Sequence, residues 1–267
     1  MAHHTSAQAG TLRIECFPTR LASGTAAAAA ISSSLRATLA SRTGPVRVIF
    51  ASAPSQREVL SLLSSDTSIE WSRIHAFHMD EYIGLPNAAP QCFAEFLRVS
   101  LWSAVKPGAI AVIDGNAADI DAECARYSKL LAEAPIDVVV LGIGENGHLA
   151  FNDPGCDIHD KRDVCKVTLP DSCINQQVND GAFLTFEQVP KTALTLTVPA
   201  LLRGTRLFCI VPGPTKTAAI RATLTAPIDT NCPATVLRSH LNATLYVDDA
   251  ACPKETLLAL AEINNNK

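Results

Sequence analysis

Residues 141–154 read Leu-Gly-Ile-Gly-Glu-Asn-Gly-His-Leu-Ala-Phe-Asn-Asp-Pro and directly continue the apolar run 136–141. That run is β-branched and nearly uninterrupted, which is typical of a strand buried on both faces of a parallel sheet. Open α/β sheets bind ligands beyond the carboxyl ends of such strands. The stretch therefore predicts an α/β fold with a functional site at this strand end.

The turn carries residues suited to proton transfer. His148 can exchange protons near neutral pH, and Asp153 follows closely enough in sequence to orient its imidazole. Gly142, Gly144 and Gly147 permit backbone angles and a close ligand approach that residues with a Cβ resist. A lone His after a strand is often only packed or solvated, but the density of Gly, His, Asn and Asp in this turn favours a site.

Composition limits the class of protein. The chain has 267 residues, of which 48% are hydrophobic, and we expect one α/β domain over residues 1–267. A net charge of -4 and a pI near 6.0 give no general attraction to nucleic acid or acidic membranes, so neither is expected as a partner. Nine cysteines without a C-x-x-C pair indicate reduced thiols and a cytoplasmic location. The sequence shows neither a secretion signal nor an apolar stretch of transmembrane length.

Strand and helix patterns alternate along the chain. The predicted strands are 12–16, 46–50, 74–79, 136–141, 193–198, 207–211 and 244–247. Two predicted helices cover 19–39 and 120–134. Four further helices are predicted to begin near Arg57, Thr215, Ala234 and Ala251. This alternation predicts a doubly wound, mostly parallel sheet with helices on both faces, as in Rossmann-like folds. The polar block 155–191 fits no clear element, and we interpret it as a lid or a local excursion.

Two turns at strand ends offer donors for an anion. Ser52, Ser55 and Gln56 precede a helix whose free N-terminal amides would favour an anion, although serines that simply cap a helix are an equal alternative. Lys216 lies in a turn with Pro and Gly after the strand 207–211. The spacing is not that of a Walker loop, and the absence of G-x-G-x-x-G with a following acid argues against a dinucleotide.

A third strand end carries two adjacent carboxylates, Asp80 and Glu81. Such residues are often only turn formers. Together with His148 and the two anion-binding turns, they suit aldose and ketose chemistry on a phosphorylated sugar.

Two long motifs resemble the signatures of the glucosamine-6-phosphate deaminase family, also called glucosamine-6-phosphate isomerase. They are residues 77–85, Phe-His-Met-Asp-Glu-Tyr-Ile-Gly-Leu, and residues 142–154. The similarity continues in matching order through 114–117, 188–191 and Lys216. The resemblance implies an enzyme, a hydrolase and aldose–ketose isomerase of amino-sugar metabolism. It would convert glucosamine 6-phosphate, or a close relative, to fructose 6-phosphate and ammonia, with no cofactor and no metal.

The resemblance also implies a role for each matching residue. His148 would open the pyranose ring, and Asp80 would carry a proton from C2 to C1. Asn146 and Asp153 would orient or polarise His148, with Asp153 standing where the family commonly has Glu. Since an Asp near its ordinary pKa of about 3.9 is a weak base for a carbon acid, we expect close positioning to supply much of the acceleration. The implied substrate contacts are Ser52, Ser55, Gln56, Glu81, Gly144, Gly147 and Lys216.

The phosphate-binding parts depart from the family pattern. Well-studied members have a Thr- and Gly-rich loop where this chain has residues 51–56, Ala-Ser-Ala-Pro-Ser-Gln. They also have an Arg where residues 174–178 of this chain read Ile-Asn-Gln-Gln-Val. Losing such a bidentate donor weakens phosphate recognition. The candidates to replace it beside Lys216 are Arg57, Lys161 and Arg162. The substrate therefore stays open between amino-sugar phosphates, an acid sugar of different size and a sugar with its anion elsewhere.

Three alternative interpretations remain. A 6-phosphogluconolactonase-type hydrolase would share a similar fold and Gly-His turn, but residues 79–82 and 151–154 look more like the deaminases. A non-catalytic sugar-phosphate sensor would keep the pocket, and the intact Asp80 and His148 argue against it. A metal bound by Asp80, His148 and Asp153 would be excluded by activity that survives a chelator. The sequence also leaves open whether the chain forms a homo-oligomer.

Overall fold

The computed structural model describes residues 4–86 and 88–265, so residues 1–3, 87, 266 and 267 of the predicted domain lie outside the described part. The strands are β1 Thr5–Ala9, β2 Leu12–Phe17, β3 Val46–Phe50, β4 Ile74–His78, β5 Asp80–Tyr82, β6 Ala109–Ala111, β7 Val138–Leu141, β8 Val164–Thr168, β9 Thr192–Leu196, β10 Arg206–Val211 and β11 Ala243–Asp248. The α-helices are α1 Arg20–Ser41, α2 Arg57–Ser64, α3 Phe93–Leu97, α4 Ser103–Val105, α5 Ile120–Ala132, α6 Asp171–Asn179, α7 Val198–Leu202, α8 Thr217–Thr225 and α9 Lys254–Asn265.

The main sheet has the strand order β1-β2-β11-β10-β7-β3-β4-β6. Its neighbouring strands pair in parallel, apart from the antiparallel hairpin of β1 and β2. The predicted doubly wound, mostly parallel fold is confirmed. The chain passes from β3 to β4 on one side of β3, whereas β7 and β10 lie on its other side. Ligand clefts of open α/β sheets form at such a reversal of strand order, here between β3 and β7.

Both faces of β7 are buried, as the sequence predicts. Val138 and Val140 pack into an apolar cluster with residues of α1 and α2. Val139 and Leu141 pack into a second cluster, which includes residues of α5 and α8. Burying each such side chain contributes roughly 1.5–3 kcal/mol, so helices are held on both faces of the sheet.

A second, three-stranded antiparallel sheet has the order β5-β9-β8. The predicted strands 74–79 and 193–198 are present as β4 and β9, but the sequence pattern does not indicate the small sheet to which β9 belongs. β4 ends at His78, and Asp80 begins β5, which pairs with β9 in the small sheet. Sheet membership depends on pairing between distant segments, which the local residue pattern does not show.

The polar block 155–191 is a local excursion with its own elements. It supplies β8 to the small sheet and contains α6. Cys173 and Ile174 of α6 pack in an apolar cluster with Tyr82 and Phe151, which anchors this helix beside the end of β7 and its turn.

Other differences concern short segments. The helix predicted to begin near Ala234 is present as the 3₁₀ helix Pro233–Ser239. The sequence patterns also give no signal for the edge strands β1 and β6. Helix α1 follows its N-cap Thr19, whose hydroxyl oxygen accepts from the amide of Ala22 at 3.2 Å. Within residues 4–86 and 88–265, no helix has both the length and the apolar character needed to cross a membrane.

Candidate active site

A cleft lies at the carboxyl ends of β3 and β7, where the strand order reverses. The turns after β3, β7 and β10, the start of β5 and one side of α6 form its walls. The structure brings to it six residues that the sequence predicts: Ser52, Ser55, Asp80, Gly144, His148 and Lys216. It also places there several residues that sequence reasoning missed: Arg20, Gln176, Gln177 and Asp180.

Asp80 is a buried carboxylic acid at the start of β5. Asp80 is only 7% exposed, and its carboxylate has no hydrogen-bond or ion-pair partner among the described residues. Burial, and to a smaller extent the neighbouring charge of Glu81, raise the pKa of Asp80 well above its ordinary value. The expectation of an ordinary pKa at this position is therefore wrong. An unpaired buried carboxyl is costly, and such groups cluster at functional sites.

Replacing Asp80 with Asn is expected to raise thermal stability at neutral pH and to leave it nearly unchanged in acid. Below the unfolded-state pKa of about 3.9, the carboxyl is protonated in both states. Between that value and the raised native pKa, the native protein holds a proton that the unfolded chain releases, so wild-type stability falls as pH rises. The gain in melting temperature is therefore expected to be largest at neutral pH and to shrink towards acid. Thermal unfolding from acid to neutral pH checks this, and a difference that does not grow with pH would contradict the raised pKa.

His148 is held by a short chain of polar side chains. Its Nδ1 lies 2.8 Å from Oδ1 of Asn146 and 3.5 Å from Oδ1 of Asp153. Nδ2 of Asn146 donates to the same Asp153 oxygen at 2.8 Å. Because amide and carboxylate oxygens accept, Nδ1 carries the proton in the neutral ring, and Nε2 is the basic nitrogen.

Asp153 supplies the negative charge in this group of hydrogen-bonded side chains. Burial opposes its ionisation, but the hydrogen bonds from His148 and Asn146 outweigh that effect and lower the pKa of Asp153. The shorter side chain, standing where the resembling family has Glu, still reaches His148, and Asn146 bridges the two groups. The ionised Asp153 therefore lies on the Nδ1 side of the imidazole, away from Nε2.

The glycines of the turn have different roles. A Cβ on Gly144 would lie 2.1–2.3 Å from three atoms of the His148 ring, so Gly144 leaves the space that the imidazole occupies. Gly147 has a φ of +88°, and a Cβ there would lie 2.5 Å from Sγ of Cys232. Gly147 therefore shapes the turn against Cys232, and the structure does not place it among the residues that line the cleft.

Gln56 and Glu81 are also directed away from the cleft. Nε2 of the buried Gln56 donates to the main-chain oxygens of Leu141 and Ile210, at 3.4 and 3.2 Å, which ties the turn to β7 and β10. The Glu81 carboxylate accepts from the main-chain amides of Tyr82, Phe93 and Ala94 at 2.9–3.0 Å and so caps α3. The structure therefore places neither of these two expected substrate contacts on the wall of the cleft, because Nε2 of Gln56 and the Glu81 carboxylate bond to the main chain. Glu81 instead borders a groove of about 1150 Å³ beside β6, which includes neither Asp80 nor His148.

No group of three or more His, Cys, Asp or Glu side chains in the described part of the chain is placed to hold a metal ion. Asp80, His148 and Asp153 accordingly do not form a ligand cluster. They instead place two groups suited to proton transfer near the same cleft. One is the Asp80 carboxyl, whose pKa is raised, and the other is the His148 imidazole, which lies beside the ionised Asp153.

Comparisons with known sequences agree with this geometry. The family described as glucosamine-6-phosphate isomerases/6-phosphogluconolactonase matches residues 18–246, a range that includes all the residues discussed above for the cleft. A glucosamine-6-phosphate deaminase from Listeria welshimeri is 32% identical over 209 residues, which cover 78% of this chain and 88% of the relative. A glucosamine-6-phosphate deaminase from Lactobacillus delbrueckii subsp. bulgaricus is 35% identical over 186 residues, with coverage of 69% and 77%.

Solved structures share the fold. A monomeric glucosamine-6-phosphate deaminase matches with a TM-score of 0.80 and 25% identity, over 89% of this chain and 98% of the other. A 6-phosphogluconolactonase from Thermotoga maritima matches with a TM-score of 0.68 and 21% identity, over 84% and 94% of the two chains. This second likeness concerns the fold alone.

Proposed function

Because the chain belongs to the family of glucosamine-6-phosphate isomerases and 6-phosphogluconolactonases, we propose that it deaminates glucosamine 6-phosphate or a close relative. The observation that carries the proposal is the buried, unpaired carboxyl of Asp80 in the same cleft as His148. Relatives that are 32–35% identical are deaminases, which favours this activity over lactone hydrolysis.

His148 serves the opening of the sugar ring. Nε2 takes the proton of the anomeric hydroxyl and returns a proton to the ring oxygen, which gives the open-chain aldehyde. During this step the imidazole becomes positively charged. The ionised Asp153 and the amide of Asn146 stabilise that charge through Nδ1.

Asp80 carries out the proton transfer between carbons. Its carboxylate removes the C2 proton, and the freed electron pair forms a C1–C2 double bond while the aldehyde oxygen takes a proton from solvent. The same carboxyl then protonates C1, and the amine electron pair forms a C2 iminium. Water adds to C2 and ammonia leaves, so that substrate and water give fructose 6-phosphate and ammonia. Asp80 must lose its own proton before this step, and once ionised its raised pKa makes the carboxylate a stronger base for this carbon acid.

A substrate panel tests the proposal. Purified protein is given glucosamine 6-phosphate and 6-phosphogluconolactone, with ammonium release, lactone hydrolysis and thermal stabilisation as the readouts. We expect ammonium release from the amino sugar and no enzymatic lactone hydrolysis. Lactone hydrolysis without ammonium would favour the hydrolase, and stabilisation without turnover would favour a sensor.

Replacing Gly144 with Ala is expected to lower kcat about 10²-fold, because the new Cβ displaces the His148 ring and small misplacements of a reacting group cost about that much. Gly44→Ala is the matched control, since its Cβ would meet no atom within 4 Å. Steady-state kinetics and circular dichroism of both variants check this. Full activity in Gly144→Ala would show that the position of His148 does not matter.

We also propose a cytoplasmic location. All nine cysteines are free thiols, which is typical of reducing compartments.

A further inference from the structure

We propose that Arg20 binds the phosphate group of the substrate together with Lys216, and so replaces the Arg that residues 174–178 lack. This inference rests on the proposed function, since it assigns the phosphate end of the same cleft. A phosphate dianion needs charged donors, and a guanidinium provides them in a planar fork.

Among the described residues, Arg20 and Lys216 are the only Arg or Lys side chains that line the cleft. The replacement candidates suggested by sequence lie elsewhere. Arg57 and Lys161 are exposed and do not border the cleft. Arg162 is also outside it and pairs with Asp160 at 2.6 Å.

The Arg20 guanidinium is fixed in direction by its neighbours. Nε donates to Oε1 of Glu58 at 2.5 Å, and Nη2 donates to Oε2 of Glu58 at 2.9 Å. Nη2 also donates to the main-chain oxygen of Pro54, inside the turn after β3. Nη1 has no acceptor in the described part of the chain, and 39% of the side chain is exposed. A preorganised guanidinium therefore retains free donors at the turn that departs from the family pattern.

The turn itself adds donors beside Arg20. Two main-chain amides of this turn are already bonded. The amide of Ala51 donates to the main-chain oxygen of Val140, and that of Gln56 donates to the main-chain oxygen of Ala53, both at 2.9 Å. Ser55 lies on the cleft wall near Gly142, where its Oγ would be 3.3 Å from a Cβ on that glycine. The Ser52 hydroxyl donates to the main-chain oxygen of Phe93 at 3.0 Å, whereas Oγ of Ser55 accepts from Nε2 of Gln56 at 3.0 Å and keeps its own proton to donate. The phosphate site thus combines a fixed guanidinium with the hydroxyl of Ser55.

The opposite wall explains why a second cation is needed. Gln176 accepts from the amide of Glu145 at 3.1 Å and donates to Asp180 at 3.4 Å, so α6 presents amides and a carboxylate to the cleft. Burial lowers the pKa of Lys216, and the carboxylates of Asp180 and Glu145 only partly oppose this. Arg20 adds a guanidinium that remains protonated whatever the state of Lys216.

The experiment compares Arg20→Gln with Arg57→Gln, which removes an equal charge from an exposed position on α2. Calorimetry gives the Kd of inorganic phosphate, and kinetics give KM and kcat for glucosamine 6-phosphate and for unphosphorylated glucosamine. For Arg20→Gln, we expect the phosphate Kd and the KM of the phosphorylated sugar to rise about 10–100-fold. We expect kcat and the kcat/KM of glucosamine to stay close to wild type, and Arg57→Gln to match wild type throughout.

An unchanged phosphate Kd in Arg20→Gln would overturn the inference, as would an equal loss with both sugars. If that variant does not fold, Arg20→Lys keeps the charge beside Glu58 but lacks the fork, and its phosphate Kd must still rise severalfold. The wild-type protein could lack deaminase activity while Arg20→Gln still binds phosphate more weakly. That result would refute the proposed function and leave the role of Arg20 intact. Deamination with unaltered phosphate affinity would refute only the role of Arg20.

Discussion

Asp80→Asn is expected to lower kcat by about 10²–10⁴-fold, the usual contribution of a general base, while the KM for glucosamine 6-phosphate changes little. The amide keeps the size of the side chain but cannot accept the C2 proton. Because the carboxyl has no partner among the described residues, the substitution breaks no hydrogen bond or ion pair and the fold is retained. Steady-state ammonium release gives both constants.

The control for Asp80→Asn is Asp121→Asn, an exposed carboxylate in the first turn of α5. It is expected to leave kcat and KM at their wild-type values. A large rise in KM for Asp80→Asn with unchanged kcat would mean that Asp80 binds substrate and does not act as the base.

His148→Gln is expected to lower kcat for the ring-closed sugar by about 10²–10⁴-fold, because the amide cannot shuttle a proton to the ring oxygen. Binding of an acyclic amino-alditol phosphate is expected to stay the same, since such a ligand needs no ring opening. Turnover of glucosamine 6-phosphate and calorimetric binding of the acyclic ligand separate the two effects.

His159→Gln is the matched control, because His159 is exposed and lies outside the cleft. It should behave as wild type in both measurements. If His148→Gln weakens the acyclic ligand as strongly as it slows turnover, His148 acts in binding and the ring-opening step must be assigned elsewhere.

The sequence predicts the centre of this fold well, because its signals there are local. The apolar run before Leu141 indicates a strand buried on both faces, and the structure has one whose four side chains are at most 1% exposed. The rule that sites lie at strand ends then leads to Asp80, His148 and Lys216, which the structure brings together. Sequence periodicity is sufficient for such elements.

The sequence fails where a role depends on contacts between distant segments. Glu81 follows Asp80 in the chain, yet alternation along β5 directs its carboxylate to the start of α3. Gln56 looks like a phosphate ligand, but its amide binds two strands from distant parts of the sequence. Arg20 lies at the start of the predicted helix 19–39, shortly after the predicted strand 12–16, but its contact with Pro54 is not visible in the sequence.

The most direct test of the account is an end-point assay with glucosamine 6-phosphate, in the presence of a chelator, that measures ammonium and fructose 6-phosphate from the wild-type protein and Asp80→Asn. We expect equal amounts of both products from the wild type and almost none from the variant. Wild-type protein that releases neither product, or a variant that releases both at the wild-type rate, would contradict a deaminase whose base is Asp80.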